Sequence, residues 1–202
     1  MAEKSQTEIQ KLETEIYDLT LKLEKLRADS KPVAIKNYTF KDMNGSTTLL
    51  NLFGSKKILF VIHNMGQACR YCTTWADGFN GFLPHLESEF AVALLSKDSP
   101  ELQRQFANER GWRFRMASHA DTDYMKENNV TAEGSNSPGI VCYVREGDQI
   151  LKKNSSAFGP GDQFCSIWNI LSLAGVGEAS FTPQFSYWKR PTQMEDGGQN
   201  LN

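Results

Sequence analysis

Apolar residues fall at Ile9, Leu12, Ile16, Leu19, Leu23 and Leu26, in a stretch that is otherwise mostly charged and polar. Steps of 3, 4, 3, 4 and 3 are heptad spacing and predict an amphipathic, coiled-coil-like helix over residues 3–28. An isolated helix of this length is marginal in water, so the seam requires a partner, either its own domain or a second copy of the chain. A parallel pair would set Glu8 near Glu13 and Lys22 near Arg27, both repulsive. An antiparallel pair would set Glu15 near Lys22. A homodimer through this helix is therefore expected to be antiparallel.

Ser30-Lys31-Pro32 ends that pattern, and strand and helix signals then alternate over residues 33–190. Asn44-Gly45 between short extended runs predicts a hairpin. Leu49–Gly54 reads as a short helical turn. The nearly continuous apolar run Lys57–His63 predicts a buried central strand, and Thr73–Leu86 a helix. Ala91–Leu95 is a second buried strand. Ser99-Pro100 opens a helix that closes at Gly111. Trp112–Ala117 is a third strand, with Trp112 and Phe114 as alternating core positions, and Asp121–Asn128 a short helix. Gly139–Arg145 and Gln149–Lys153 pair as a hairpin about Gly147-Asp148, and Asp162 caps a last helix to Leu173. The polar residues 192–202 read as a disordered tail. The sum is an α/β chain: a mixed sheet flanked by helices, with an N-terminal heptad helix.

Composition narrows the options. The 202 residues are 40% hydrophobic and 11% aromatic, enough for a packed core. A net charge of −2 gives no general attraction to nucleic acid. No apolar run approaches the roughly 20 residues of a membrane span, and the charged N-terminus leads into no signal-like apolar region. A cytoplasmic setting is expected, where four cysteines point to redox or metal chemistry rather than a disulfide scaffold.

Cys69-Arg70-Tyr71-Cys72 is the chemical candidate. It follows a buried strand and opens a helix, where unpaired backbone N–H groups and the helix dipole favour a thiolate, the nucleophilic form. Cys69, nearer the helix start and expected to be the more exposed, is assigned as the attacking cysteine, and Cys72 as the resolving one. Arg70 adds positive charge beside both sulfurs, and Tyr71 and Trp75 are placed to shield them. Half a zinc site is the competing reading, but zinc needs two more ligands. Cys142 and Cys165 are isolated, and His63, His85 and His119 have no ligand spacing. No metal or cofactor is expected: no Gly-rich phosphate loop follows a strand. Cys142 and Cys165 read as small core residues. His63, at a strand end near the redox loop, reads equally as a proton-transfer aid or a structural residue. Arg113, Arg115 and His119 read either as the lining of a pocket near the site or, in preference, as a solvated strand edge and loop.

Phe40-Lys41-Asp42-Met43-Asn44-Gly45, then Leu49–Phe53, then the strand and cysteine pair, resemble the alkyl hydroperoxide reductase and thiol-specific antioxidant branch of thioredoxin-like proteins. Cys69–Phe79 and Arg110–Phe114, with Ser118 and Asp121, look like an uncharacterised thioredoxin-like family within it. The resemblance implies a thioredoxin-like fold. In that fold, the proline ahead of the strand that begins here at Gly139 has a cis peptide bond and faces the cysteine pair. Ser137 and Pro138 are thus expected to form the wall for an extended substrate. Two departures stand out. Residues His63–Ala68 lack the Pro and Thr that typical peroxiredoxins place before their reactive cysteine, and Arg70-Tyr71 replaces the Gly-Pro of typical thioredoxins.

Three functions follow. The leading one is thiol–disulfide exchange on protein disulfides, with an external thiol reductant. The second is a peroxiredoxin-like thiol peroxidase. The third is a non-enzymatic dimeric module working through the helix.

Overall fold

The computed structural model describes residues 2–131 and 136–184. The predicted tail at 192–202 lies outside the described residues, as does 185–190 of the predicted domain. The chain divides into two compact units, 1–32 and 33–202.

The first unit is helix α1, Ala2–Asp29, followed by a short linker. Its six seam residues are between 36% and 63% exposed.

The second unit is built on one eight-stranded sheet in the order β1-β8-β7-β4-β5-β6-β2-β3. The strands are β1 (Val33–Ile35), β2 (Thr39–Asp42), β3 (Gly45–Thr48), β4 (Ile58–His63), β5 (Ala91–Ser96), β6 (Arg115–Ser118), β7 (Gly139–Glu146) and β8 (Gln149–Ala157). Strands β4, β5 and β6 run parallel, joined by α3 (Arg70–Glu89) and α4 (Pro100–Arg110). The hairpin β7–β8 lies antiparallel beside β4, and β2–β3 closes the other edge. Shorter helices are α2 (Leu49–Leu52), α5 (Tyr124–Glu127) and α6 (Ser166–Leu173). Among the described residues, no helix is long and apolar enough to cross a membrane.

Strand β5 shows why there are two cores. Its side chains alternate, so Ala93 and Leu95 enter one cluster while Val92 and Leu94 enter the other. The first cluster lies under α2 and α5, with Phe40, Leu49, Phe53, Tyr124 and Tyr143. The second receives α3 and α4: Trp75, Phe79 and Leu83 recur every four residues along α3 and pack with Phe106, Trp112 and Phe158. Burying each of these large side chains contributes about 2 kcal/mol.

Four local expectations need correction. Helix α3 begins at Arg70 rather than Thr73, because Cys69 itself is the N-cap. Strand β1, unpredicted, is a three-residue edge paired to β8. Trp112 and Phe114 are buried but precede β6. The Trp112 amide donates to Ala107 O at 2.8 Å and the Arg113 amide to Asn80 Oδ1 at 2.9 Å, so helical residues rather than a strand partner take them. Asp162 does not cap α6. Cys165 holds that position, while Asp162 folds the preceding loop by accepting from the amides of Gly159, Phe164 and Cys165.

Candidate active site

The carboxyl ends of β4, β5 and β6 form one edge of the sheet, and the cysteine loop hangs from it. In open α/β sheets this edge is where ligands bind. Beyond His63, the Asn64 side chain accepts the Gly66 amide at 2.8 Å, closing a tight turn. Gly66 adopts φ +124°, which a side-chain-bearing residue rarely takes. Asp98, after β5, accepts the Gln67 amide at 2.7 Å. Asp98 is held in turn by its own amide on Ser96 Oγ and by Gln103 Nε2 on its carbonyl. The loop before Cys69 is thus tied to the neighbouring strand end.

At the helix start, the Cys72 amide donates to Cys69 Sγ at 3.2 Å. The sulfur occupies the N-cap acceptor position, where helix N–H groups stabilise negative charge. Burial, then the hydrogen bond and charge of Cys69, push the Cys72 thiol well above its ordinary range, while the Met65 backbone opposes the shift. Cys72 therefore holds its proton and shares it with Cys69. Neither sulfur is open to solvent: Cys69 is 1% exposed and Cys72 3%. The expected greater exposure of Cys69 is not found, because a capping side chain turns back over the first turn of its own helix.

The other candidate residues fall in distinct places. Arg70 is 1% exposed, so its charge acts within the low-dielectric interior rather than from the surface. Tyr71 is half-buried and stacks on Trp168, with centroids 6.2 Å apart. Trp75 is buried, its indole N–H donating to Asp162 Oδ2 at 2.9 Å. Tyr71, Trp75, Phe158 and Trp168 form an aromatic wall flanking the cysteine turn. Ser137 Oγ lies 3.1 Å from Thr131 Oγ1. The Ser137–Pro138 bond is trans, contrary to expectation. The chain here runs straight into β7, and the Pro138 carbonyl accepts the Phe158 amide at 3.0 Å, one step beyond the Gly139–Ala157 pair. Asn136, just before, ties this segment to the cysteine loop, its side chain donating to Met65 O at 3.3 Å.

His63 lies on the opposite face of the sheet from α3. Its Nε2 is 2.8 Å from Tyr124 Oη, which is 2.8 Å from Tyr143 Oη. Asn128 continues this buried network to Tyr38, whose hydroxyl donates to Glu127. Burial, then the charges of His119 and Lys152, lower His63 to about 3. Burial likewise lowers His119 to about 4. His63 is thus a neutral member of a buried tyrosine network. Arg115 donates to the carbonyls of Asn51 and Leu52, while His119 is buried rather than in a solvated loop. Cys165 is buried as the α6 N-cap, and Cys142 is half-buried on β7. Among the described residues, no group of three or more His, Cys, Asp or Glu is arranged to hold a metal ion.

Asn64, Asp98 and Asn136 join the residues that the sequence marks as site candidates. Asn64-Met65-Gly66 carries a legible Asx-turn signal. Asp98 and Asn136 lie 31 and 71 residues from their partners, and no local pattern marks them.

A parallel βαβαβ core with an antiparallel hairpin beside it defines a thioredoxin-like fold. Solved structures share this fold. The bacterioferritin comigratory protein of Xanthomonas campestris, described for its alkyl peroxide reduction activity, aligns with TM-score 0.50 and 16% identity over 68% of this chain and 88% of its own. A PrxQ variant from Xylella fastidiosa aligns with TM-score 0.52 and 16% identity over 72% and 96%. A putative protein disulfide isomerase from Bacteroides thetaiotaomicron aligns with TM-score 0.50 and 18% identity over 69% and 86%. No curated protein matches in sequence. Over residues 5–193 the chain matches, and so belongs to, the family described as bacterial protein of unknown function (DUF899).

Proposed function

We propose that the chain is a thiol–disulfide oxidoreductase in which Cys69 and Cys72 cycle between dithiol and disulfide. The observation that carries this reading is the Cys72 amide bond to Cys69 Sγ at the head of a 20-residue helix, beside a Cys72 thiol that burial pushes well above its ordinary range. The Cys69 thiolate attacks one sulfur of a protein disulfide, forming a mixed disulfide and releasing the other sulfur as a thiolate. Cys72 then attacks Cys69 Sγ, displacing the second substrate sulfur, and its proton passes to the departing thiolate. The substrate gains two electrons and becomes a dithiol, and the protein becomes a disulfide. An external thiol reductant of the kind a cytoplasmic thiol pool supplies resets it. Since both sulfurs are buried, the residues that cover them must move aside for a protein substrate.

The same burial favours a second reading, a thiol peroxidase, because a peroxide is small enough to reach a covered sulfur. Cys69 would attack the distal peroxide oxygen, giving a sulfenic acid and an alcohol, and Cys72 would then close the disulfide with loss of water.

The test is equilibration across dithiol redox buffers, alkylation of free thiols, and mapping by mass spectrometry. Paired, reversible loss of labelling at Cys69 and Cys72 is expected. Labelling of both at every potential would overturn the redox assignment. Insulin reduction against peroxide consumption, each with Cys69→Ser, then separates the two substrates.

A further inference from the structure

Helix α1 extends over 28 residues and, with a short linker, forms a unit of its own. Ile9, Leu12, Ile16, Leu19, Leu23 and Leu26 are all at least 36% exposed, and Leu19 reaches 63%. With Ile9, Ile16 and Leu23 at a positions, and Leu12, Leu19 and Leu26 at d, the flanking positions are fixed. Glu8, Glu15, Lys22 and Asp29 are g, and Glu13, Thr20 and Arg27 are e.

The charge pattern selects the occupant of this seam. In a parallel pair, g meets the following e: Glu8 faces the partner's Glu13, and Lys22 faces the partner's Arg27. Each repulsion occurs twice by symmetry. In an antiparallel pair, the seam closes with Ile9 opposite the partner's Leu26, Leu12 opposite the partner's Leu23, and Ile16 opposite the partner's Leu19. All six seam positions of each helix are then used. Glu15 faces the partner's Lys22, twice, at the centre. The remaining like-charge approach, Glu8 to the partner's Asp29, falls at the outer ends, where side chains reach water and repulsion is screened. The two helix dipoles also oppose, placing each positive N-terminus near a negative C-terminus.

We infer that α1 is a homodimerisation element that pairs with a second copy of itself in antiparallel orientation about the Ile16–Leu19 step. The inference is independent of the redox chemistry.

The experiment uses the full chain, with light scattering after size exclusion and sedimentation equilibrium for the dissociation constant. A dimer is expected for the wild type. Leu19→Asp should give a monomer whose Cys69/Cys72 alkylation pattern is unchanged, showing that the domain still folds. Lys22→Glu should weaken the dimer about fivefold by setting a carboxylate at position 22 against the partner's Glu15, and adding Glu15→Lys should restore it. A monomeric wild type, or a dimer that survives Leu19→Asp, would overturn the inference. A dimer tightened by Lys22→Glu would show the parallel arrangement, because that change relieves the Lys22–Arg27 clash, and would overturn it equally.

Discussion

Gly66→Ala probes the loop that positions the cysteine pair. A Cβ at Gly66 would stand 2.9 Å from Asp98 Oδ1 and 3.1 Å from Oδ2, on a backbone at φ +124°. Holding alanine in that conformation costs about 1–3 kcal/mol. The clash adds to it. Asp98 can swing away only by giving up the Gln67 amide at 2.7 Å, a hydrogen bond to a charged group worth about 1.5–3 kcal/mol. The single substitution should therefore destabilise by about 4 kcal/mol. With Asp98→Ala already in place, the carboxylate is gone and Gly66→Ala should cost only the backbone part. The assay is guanidinium denaturation of the two single variants and the double variant, followed by circular dichroism. A coupling of about 2 kcal/mol is expected. Coupling below about 0.5 kcal/mol would show that Gly66 and Asp98 act independently, and would refute the loop clamp. Alkylation provides a second readout: freeing the loop should speed labelling of Cys69, which a purely global loss of stability would match only near the unfolding midpoint.

Two further predictions concern the frame around the site. His63, lowered to about 3 by burial, is neutral in the fold, so its contribution is present above about pH 6.5 and is lost as pH falls toward 3. Over that window the unfolded chain takes up a proton that the fold refuses, at about 1.4 kcal/mol per pH unit. His63→Gln should flatten the acid limb of a stability–pH curve by that slope, and an unchanged limb would show that His63 does not set it. Asp162 accepts from Trp75 Nε1 and three backbone amides, so Asp162→Ala should cost about 3 kcal/mol and loosen the Tyr71–Trp75–Trp168 wall, read as altered tryptophan fluorescence. A loss under about 1 kcal/mol would mean that water replaces the carboxylate.

Much of the architecture was legible in the sequence because its signals are local. The apolar runs at β4 and β5, the Asn-Gly turn between β2 and β3, Ser99 and Gly111 bracketing α4, and the cysteine pair after a central strand each depend on residues a few positions apart. The heptad of α1 is of the same kind. What only the tertiary structure decided is how distant segments meet. Neither the burial of both sulfurs, nor the Asp98 clamp 31 residues away, nor the trans Ser137–Pro138 bond follows from spacing. The placement of His63 away from the cysteines turned on a single residue of strand register, since alternate side chains of β4 face opposite cores. Local backbone preference and apolar period act over one or two turns of chain, and so can be read along it. The environment of a thiol is set by whichever loops the sheet brings to its carboxyl edge, and that follows from strand order.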